Sequence, residues 1–213
     1  MIYDNANARP TIASGFGTYG GNLYDSLQWG SDDTALYASN NGDSGFDFYT
    51  LTVSSSGVVL DQDNPNVFTG YNFRIHYDPG TQLVYGDGGT VVAPSTGLVA
   101  GTFRASGLMA PDSTLNAAFF LGQTGTQIGG GSFTIESFDL TQFIPVAEIT
   151  VPNVIGNPLR FIRWGQNGLA FNTDGGRVYI ISGAFVGAVS QGHARHAEAA
   201  MQPVFGTWKT SVK

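Results

Sequence analysis

A strand–turn–strand pattern recurs along this chain, and it limits the folds that the sequence can adopt. The clearest copies are SLQWGSDDTALYAS (26–39) and RFIRWGQNGLAFNT (160–173), each an apolar segment ending in Trp-Gly, a polar turn and a second apolar segment. Weaker copies are FRIHYDPGTQLVYG (73–86) and GLMAPDSTLNAAFF (107–120). Such repetition is the signature of stacked structural units that bury their apolar faces against one another.

Each copy is flanked by two further apolar segments. The segments that follow the copies are Phe46 to Val53, Thr90 to Ala93, Phe133 to Leu140 and Arg177 to Ser182. The segments that precede them are Thr11 to Phe16, Val58 to Gln62, Leu98 to Arg104 and Pro145 to Val151. Period-two alternation in FTIESFDL and AEITV is typical of half-buried antiparallel strands. The repeating unit is therefore predicted to contain four strands.

Four-stranded units at this spacing predict an all-β fold, a β-propeller of four-stranded antiparallel blades with a short helical or irregular C-terminal tail. The 30 glycines and the low charged content of 12 % agree with many short strands joined by tight turns. A jelly roll or β-sandwich is the alternative, but the repeated Trp-Gly turn favours the propeller.

The last repeat resembles a known family. The segments PVAEITVPNVIGNPL, RWGQNGLAF and GGRVYIIS are similar to the last blade of bacterial YVTN-type or quinoprotein-like β-propellers. The resemblance covers roughly residues 10 to 186 and implies a surface or secreted parent protein, hence an extracytoplasmic location, with no specific activity. The N-terminal MIYDNANARP lacks the pattern of a signal peptide. No quinone site is inferred.

Composition changes near Gly187, and this change predicts two parts, blades at 1–186 and a helix-prone tail at 187–213. Lysine occurs only in the second part, at Lys209 and Lys213. Four blades are fewer than the resemblance implies, so we expect a fragment of a larger propeller that assembles as a homo-oligomer to close the ring or cover open strand edges. A closed four-bladed monomer is the alternative.

Charge and residue content exclude several classes of partner and cofactor. The net charge of −7 argues against nucleic acid and against an anionic membrane surface. The sequence contains no cysteine, which excludes disulfides and thiolate ligands. No P-loop or dinucleotide fingerprint is present, and we expect no nucleotide, flavin or haem.

One candidate catalytic pair lies in FRIHYDPG. Period two places Arg74, His76 and Asp78 on one strand face, with the apolar residues between them on the other. His76 and Asp78 on one face predict a base and its orienting partner. A polar network between blades is the alternative interpretation.

A candidate metal site lies in the tail, where SQGHARHAEAAM predicts a helix. His193 and His196 are three residues apart, which places both imidazoles on one helix face. We predict that they bind a divalent metal, zinc or calcium, with His76 as a third ligand. The oxygen-rich LDQDNPN (60–66), with Asp61 and Asp63, is a weaker calcium candidate. A solvated tail and ordinary turn chemistry are the alternatives.

Two functions follow from these features. The first is a metal-dependent hydrolase that acts on a small-molecule substrate, an activated ester, lactone or phosphotriester, with His76 and Asp78 as catalytic residues. The second is a non-catalytic propeller that binds a carbohydrate or a protein through an exposed aromatic or polar rim.

Overall fold

The computed structural model describes residues 3–10, 26–40, 45–70, 73–123 and 129–187. Within these ranges the regular secondary structure is strand, apart from one four-residue helix. The strands form four antiparallel sheets and one two-stranded hairpin. The chain divides into two compact units, the first ending at Thr102 and the second beginning at Phe103.

The first unit contains the hairpin and two four-stranded sheets. The hairpin strands are β1 (Tyr3–Asp4) and β2 (Asn7–Ala8). The first sheet consists of β3 (Ser26–Trp29), β4 (Ala35–Ser39), β5 (Phe48–Ser54) and β6 (Gly57–Asn64). The second sheet consists of β7 (Ile75–Asp78), β8 (Leu83–Gly86), β9 (Thr90–Ala93) and β10 (Leu98–Thr102). Each strand pairs with its neighbour in sequence.

The second unit contains the other two sheets and the helix. The third sheet consists of β11 (Leu108–Asp112), β12 (Ala117–Gln123), β13 (Gly130–Asp139) and β14 (Pro145–Ile155). The fourth sheet has three strands among the described residues, β15 (Pro158–Trp164), β16 (Gly168–Thr173) and β17 (Val178–Ser182). Helix α1 (Ala184–Gly187) follows and buries Phe185 and Val186.

Neighbouring sheets within each unit approach one another at their first strands, β3 beside β7 and β11 beside β15. Sequential four-stranded meanders that meet at their first strands are the blades of a β-propeller. The predicted fold class, an all-β propeller with four-stranded antiparallel blades, is confirmed.

Apolar side chains fill the space between the two sheets of each unit. In the first unit, Phe48 and Phe68 of the first repeat pack with Ile75, Val84 and Val92 of the second sheet. In the second unit the cluster is larger and joins both sheets to α1, and its largest fully buried members include Phe119, Ile135, Leu169 and Phe171. Each sheet is thereby covered on at least one face, as the alternating pattern predicted.

The strand predictions differ from the structure mainly at strand ends. The predicted Pro145 to Val151 segment continues to Ile155, because β13 and β14 pair as far as Gly130 opposite Ile155. The β1–β2 hairpin has no counterpart in the sequence-based prediction. The predicted strand at Thr11 to Phe16 and the predicted tail helix lie outside the described residues, except that α1 occupies 184–187. No helix in the described ranges is long and apolar enough to cross a membrane.

Candidate functional site

His76 lies on β7, the first strand of the second sheet, and the structure confirms the faces predicted for this strand. Phe73 and Ile75 are buried at 5 % and 0 % exposure in the core between the sheets. The side chain of His76 points away from that core and keeps 25 % of its surface accessible. An imidazole in this position is held by the sheet but is still open to a ligand.

The carboxylate partner of His76 is Asp87, which follows β8. The Nε2 atom of His76 lies 2.8 Å from Oδ1 of Asp87. The other carboxylate oxygen, Oδ2, accepts the backbone N–H of Arg74 at 3.1 Å, and the Asp87 N–H donates to the Arg74 carbonyl at 2.9 Å. Asp87 is therefore fixed by three contacts, and it orients the imidazole as a carboxylate orients a general base or a metal-binding histidine.

Asp78, the residue predicted to assist His76, has a role in the turn after β7. Its Oδ1 accepts the backbone N–H groups of Gly80 at 2.8 Å and Thr81 at 3.0 Å. This is the usual chemistry of an aspartate that begins a turn, and Asp78 is only 7 % exposed. Its catalytic role stays a prediction.

Tyr85 lies directly opposite His76 in the pairing of β7 with β8, is completely buried, and donates its hydroxyl hydrogen to Oγ1 of Thr81 at 3.0 Å. Burial raises the pKa of the Tyr85 phenol; with a smaller lowering by the Thr81 hydrogen bond and a still smaller raising by the Asp78 carboxylate, the net pKa is about 12. Tyr85 therefore stays neutral and supports the turn that carries Asp78.

The acidic segment that suggested calcium is strand rather than loop, because β6 continues to Asn64. Asp61 accepts a hydrogen bond from the Thr52 hydroxyl at 2.6 Å. Burial raises the pKa of Asp63, and the neighbouring Asp47 adds to the effect. Among the described residues no group of three or more His, Asp or Glu side chains is arranged to hold a metal ion.

The two tail histidines proposed as metal ligands, His193 and His196, lie outside the described residues. Of the three predicted ligands, only His76 is described. Its contact with Asp87 fits a single metal ligand held by a carboxylate, since a bond through Nε2 leaves Nδ1 as the coordinating nitrogen.

Two exposed apolar stripes distinguish the strands that carry the Trp-Gly motif. On β3, Leu27 and Trp29 are 50 % and 49 % exposed, and we call this pair the Trp29 stripe. On β15, Ile162 and Trp164 are 54 % and 52 % exposed, and we call this pair the Trp164 stripe. Each stripe follows period two along the first strand of its sheet, so its two side chains lie on one face.

The glycine after each tryptophan is required for a different reason in each repeat. A Cβ on Gly30 would lie 2.9 Å from the Cβ of Ala35, so close approach of the returning strand excludes a side chain. Gly165 has a φ of +60°, a left-handed conformation that favours glycine. The two turns therefore expose the indole to the same extent by different local geometry.

Trp29 and Trp164 were predicted as part of the strand–turn–strand repeat, but their exposure to solvent was not predicted. Their repetition was visible, but tryptophan is usually buried, and exposure depends on which strand ends the sheet. Asp87 was considered only as a turn residue or weak calcium ligand and was not predicted as the partner of His76, because that contact depends on the pairing of His76 with Tyr85 across the strands. Its position before a glycine pair in YGDGG is consistent with an ordinary turn.

Comparisons with known proteins extend these findings only at the level of fold. No family model matches the chain, and no curated protein sequence matches it. Among solved structures, the chain is similar to hydrazine synthase of Kuenenia stuttgartiensis, with a TM-score of 0.54 and 9 % sequence identity. The match covers 75 % of this chain and 51 % of that one, so this chain spans about half the length of its structural neighbour. At this identity the likeness concerns the fold alone, and it agrees with the propeller topology.

Proposed function

We propose that this protein is a non-catalytic propeller module that binds carbohydrate at two separate places, the Trp29 stripe of the first unit and the Trp164 stripe of the second. The observation that carries the proposal is the equal exposure of the two indoles, 49 % and 52 %, at matching positions of two repeats. An indole that leaves water on binding contributes a large apolar area, so an indole kept half exposed provides contact surface for a partner.

The side chains beside each stripe favour carbohydrate as the ligand. The turn after Trp29 exposes Ser31 and Asp32, and the turn after Trp164 exposes Gln166 and Asn167. Sugar rings present polarised C–H groups, which the negative face of an aromatic ring attracts, and hydroxyls that need both donors and acceptors. The indole of each stripe supplies the aromatic face, and the adjoining turn supplies the hydrogen-bond donors and acceptors.

The test is binding to a glycan array, followed by titration of any saccharide that binds. Trp29→Ala and Trp164→Ala should each weaken binding about tenfold at its own stripe, because each removes a stacking surface worth roughly 1–2 kcal/mol. The matched controls are Leu98→Ala and Val178→Ala, which remove exposed apolar side chains of 68 % and 47 % exposure outside the stripes. The proposal fails if no glycan binds, or if the tryptophan variants bind as tightly as the controls. Binding of a protein partner alone would also count against it.

A second candidate is the metal-dependent hydrolase of activated esters, lactones or phosphotriesters, and the contact between His76 and Asp87 favours it. With Nε2 held by the carboxylate at 2.8 Å, Nδ1 is the atom available for a proton or a metal. A bound zinc or calcium ion would polarise the substrate and activate water. His76 and the predicted ligands His193 and His196 would hold it, and Asp78 remains the proposed second catalytic residue.

Metal content by mass spectrometry after exhaustive buffer exchange tests this candidate. Near-stoichiometric metal that is lost in His76→Ala and in the His193→Ala/His196→Ala double variant, together with ester hydrolysis, would support it. Asp87→Asn should weaken metal binding about tenfold, because the imidazole loses its orienting carboxylate. Absence of metal, even after zinc or calcium is added, excludes the hydrolase and leaves the binding proposal intact.

Self-association is part of both proposals. β17 lies at the edge of a sheet with three described strands, whereas the other three sheets have four. An open edge strand presents unpaired backbone groups that favour pairing with another strand. The expected homo-oligomer is measured by light scattering after size-exclusion chromatography, and a monomer at all concentrations would contradict it. Descent from YVTN-type or quinoprotein-like propellers is likewise a proposal, supported by the similarity of the last repeat.

A further inference from the structure

A polar cleft lies in the second unit, and no residue of either tryptophan stripe lines it. It has a volume of about 880 Å³ and is bounded by residues 103–106, the end of β12 and the outer strands β13 and β14. This volume is within the range of small-molecule sites in proteins. Its side chains that bear charges or hydrogen-bonding groups include Arg104, Gln123, Thr134, Glu136 and Glu148.

The cleft occupies the face of the third sheet that does not pack on the fourth sheet. Phe133 and Ile135 alternate with Thr134 and Glu136 along β13, and the two apolar residues enter the core of the unit. Thr134 and Glu136 therefore face the other side. At one end of this face, Phe138 packs against Phe103 at 5.5 Å between ring centroids. This face of the third sheet is therefore aromatic at Phe138 and polar at Thr134 and Glu136.

Three charged side chains in the cleft form no ion pair within the described part of the chain. Glu136 and Glu148 are directly opposite each other in the pairing of β13 with β14. Among the described residues, no ion pair or side-chain hydrogen bond involves the side chains of Glu136, Glu148 or Arg104. Like charges in opposed positions of a sheet are unfavourable to folding, so packing does not explain their presence.

Gly122 keeps the cleft open without being required by the backbone. It pairs with Thr134, so a side chain at this position would point into the cleft. A Cβ here would meet only the Ser106 carbonyl oxygen, at an ordinary 3.5 Å. A side chain that begins at this position would therefore intrude on the cleft without a clash at its Cβ.

We infer that this cleft is a binding site for a neutral, hydroxyl-rich ligand, a saccharide unit. Vicinal hydroxyls both donate and accept, and the cleft offers donors from Arg104 and acceptors from Glu136 and Glu148. The inference rests on the proposed function for the class of ligand and adds a site distinct from the stripes.

The experiment titrates, by calorimetry, each saccharide that wild-type protein binds on the glycan array into a set of variants. Arg104→Gln should weaken binding about tenfold, because it removes a charged donor. Gly122→Leu should weaken binding in the cleft at least tenfold, because the new side chain occupies part of the space beside Thr134. Arg160→Gln is the matched control, because Arg160 is an exposed arginine of the same unit and lies outside the cleft.

The outcomes separate the cleft from the stripes. Loss of affinity in Arg104→Gln and Gly122→Leu, with Arg160→Gln within twofold of wild type, supports the cleft. If both cleft variants bind like wild type while Trp29→Ala and Trp164→Ala bind weakly, the saccharide site in the cleft is ruled out and the proposed function stands. If wild type binds no saccharide, both the proposed function and the saccharide site in the cleft are ruled out. Binding of calcium alone, or of amines but not neutral sugars, also overturns the cleft as a saccharide site.

Discussion

In the first unit the neighbouring strands β3 and β7 are joined by uncharged groups, whereas in the second unit β11 and β15 are joined by an ion pair. The Ser26 hydroxyl accepts the backbone N–H of Ile75 at 3.1 Å, and Ser31 Oγ lies 2.6 Å from the Tyr77 hydroxyl. In the second unit, Arg163 donates from Nε to Asp112 Oδ2 at 2.6 Å.

The ion-pair junction also has more additional contacts than the hydroxyl junction. Arg163 donates to the carbonyl oxygens of Gln166 and Gly168, and its guanidinium lies 5.6 Å from the ring centre of Phe119. The side chains of Arg163 and Asp112 are only 16 % and 15 % exposed. The same blade topology is therefore compatible with two kinds of junction. Stability should depend more on the ion pair, because removal of Arg163 or Asp112 leaves the other charge partly buried and unpaired.

The largest effect is expected from Arg163→Met. The change leaves the Asp112 carboxylate partly buried without its cation and leaves two carbonyl groups without a donor. We expect a loss of about 3 kcal/mol in the free energy of unfolding. Denaturant titration followed by tryptophan fluorescence measures it, with Arg160→Met, an exposed arginine on the same strand, as the control. A loss no larger than in the control would mean that the ion pair does not hold this junction.

A smaller effect, confined to alkaline pH, is expected from Tyr85→Phe in the first unit. Burial raises the pKa of the Tyr85 phenol to about 12, above the ordinary value of 10.0. The folded state therefore keeps a proton that the unfolded state loses, so this contribution is complete below pH 10 and disappears between about pH 10 and 12. Its size is roughly 2–3 kcal/mol.

Denaturant midpoints measured from pH 9 to 12 should fall more steeply for wild type than for Tyr85→Phe. Tyr3→Phe is the control, since Tyr3 is 61 % exposed. Parallel curves for wild type and Tyr85→Phe would show that burial of this phenol does not make the first unit sensitive to alkali.

The smallest effect is expected at the hydroxyl junction of the first unit. Ser31→Ala and Tyr77→Phe each remove one side of a neutral hydrogen bond at an exposed position. We expect about 0.5–1 kcal/mol for each change and a double variant that adds little to either. A double-mutant cycle in denaturant measures the coupling. Coupling as large as that between Arg163 and Asp112 would remove the contrast between the two junctions.

The fold was predictable because its signals are local. Each strand pairs with its sequence neighbour, so the period-two pattern and the turn residues between strands were enough to place β3 to β17. The β1–β2 hairpin was missed because its strands have two residues each, too short for any periodicity.

The candidate sites depended on register, which the sequence did not reveal. Asp87 reaches His76 only through the pairing of β7 with β8. Glu136 opposes Glu148 only because β13 and β14 shift register between Ser137 and Phe138, between this pair and the connecting turn. Bulges of this kind are set by packing rather than by local propensity, so the opposed carboxylates were not predictable.

The order of the strands has a consequence for how the protein is made. Every described strand finds its partner in the adjacent segment of chain, and hairpins form in microseconds, whereas a ribosome adds roughly 5–20 residues per second. Each sheet can therefore assemble before the next has been synthesised, and a nascent chain carries at most one unfinished sheet. The interval before a following sheet arrives to cover its apolar face is the period when that sheet is most exposed to aggregation.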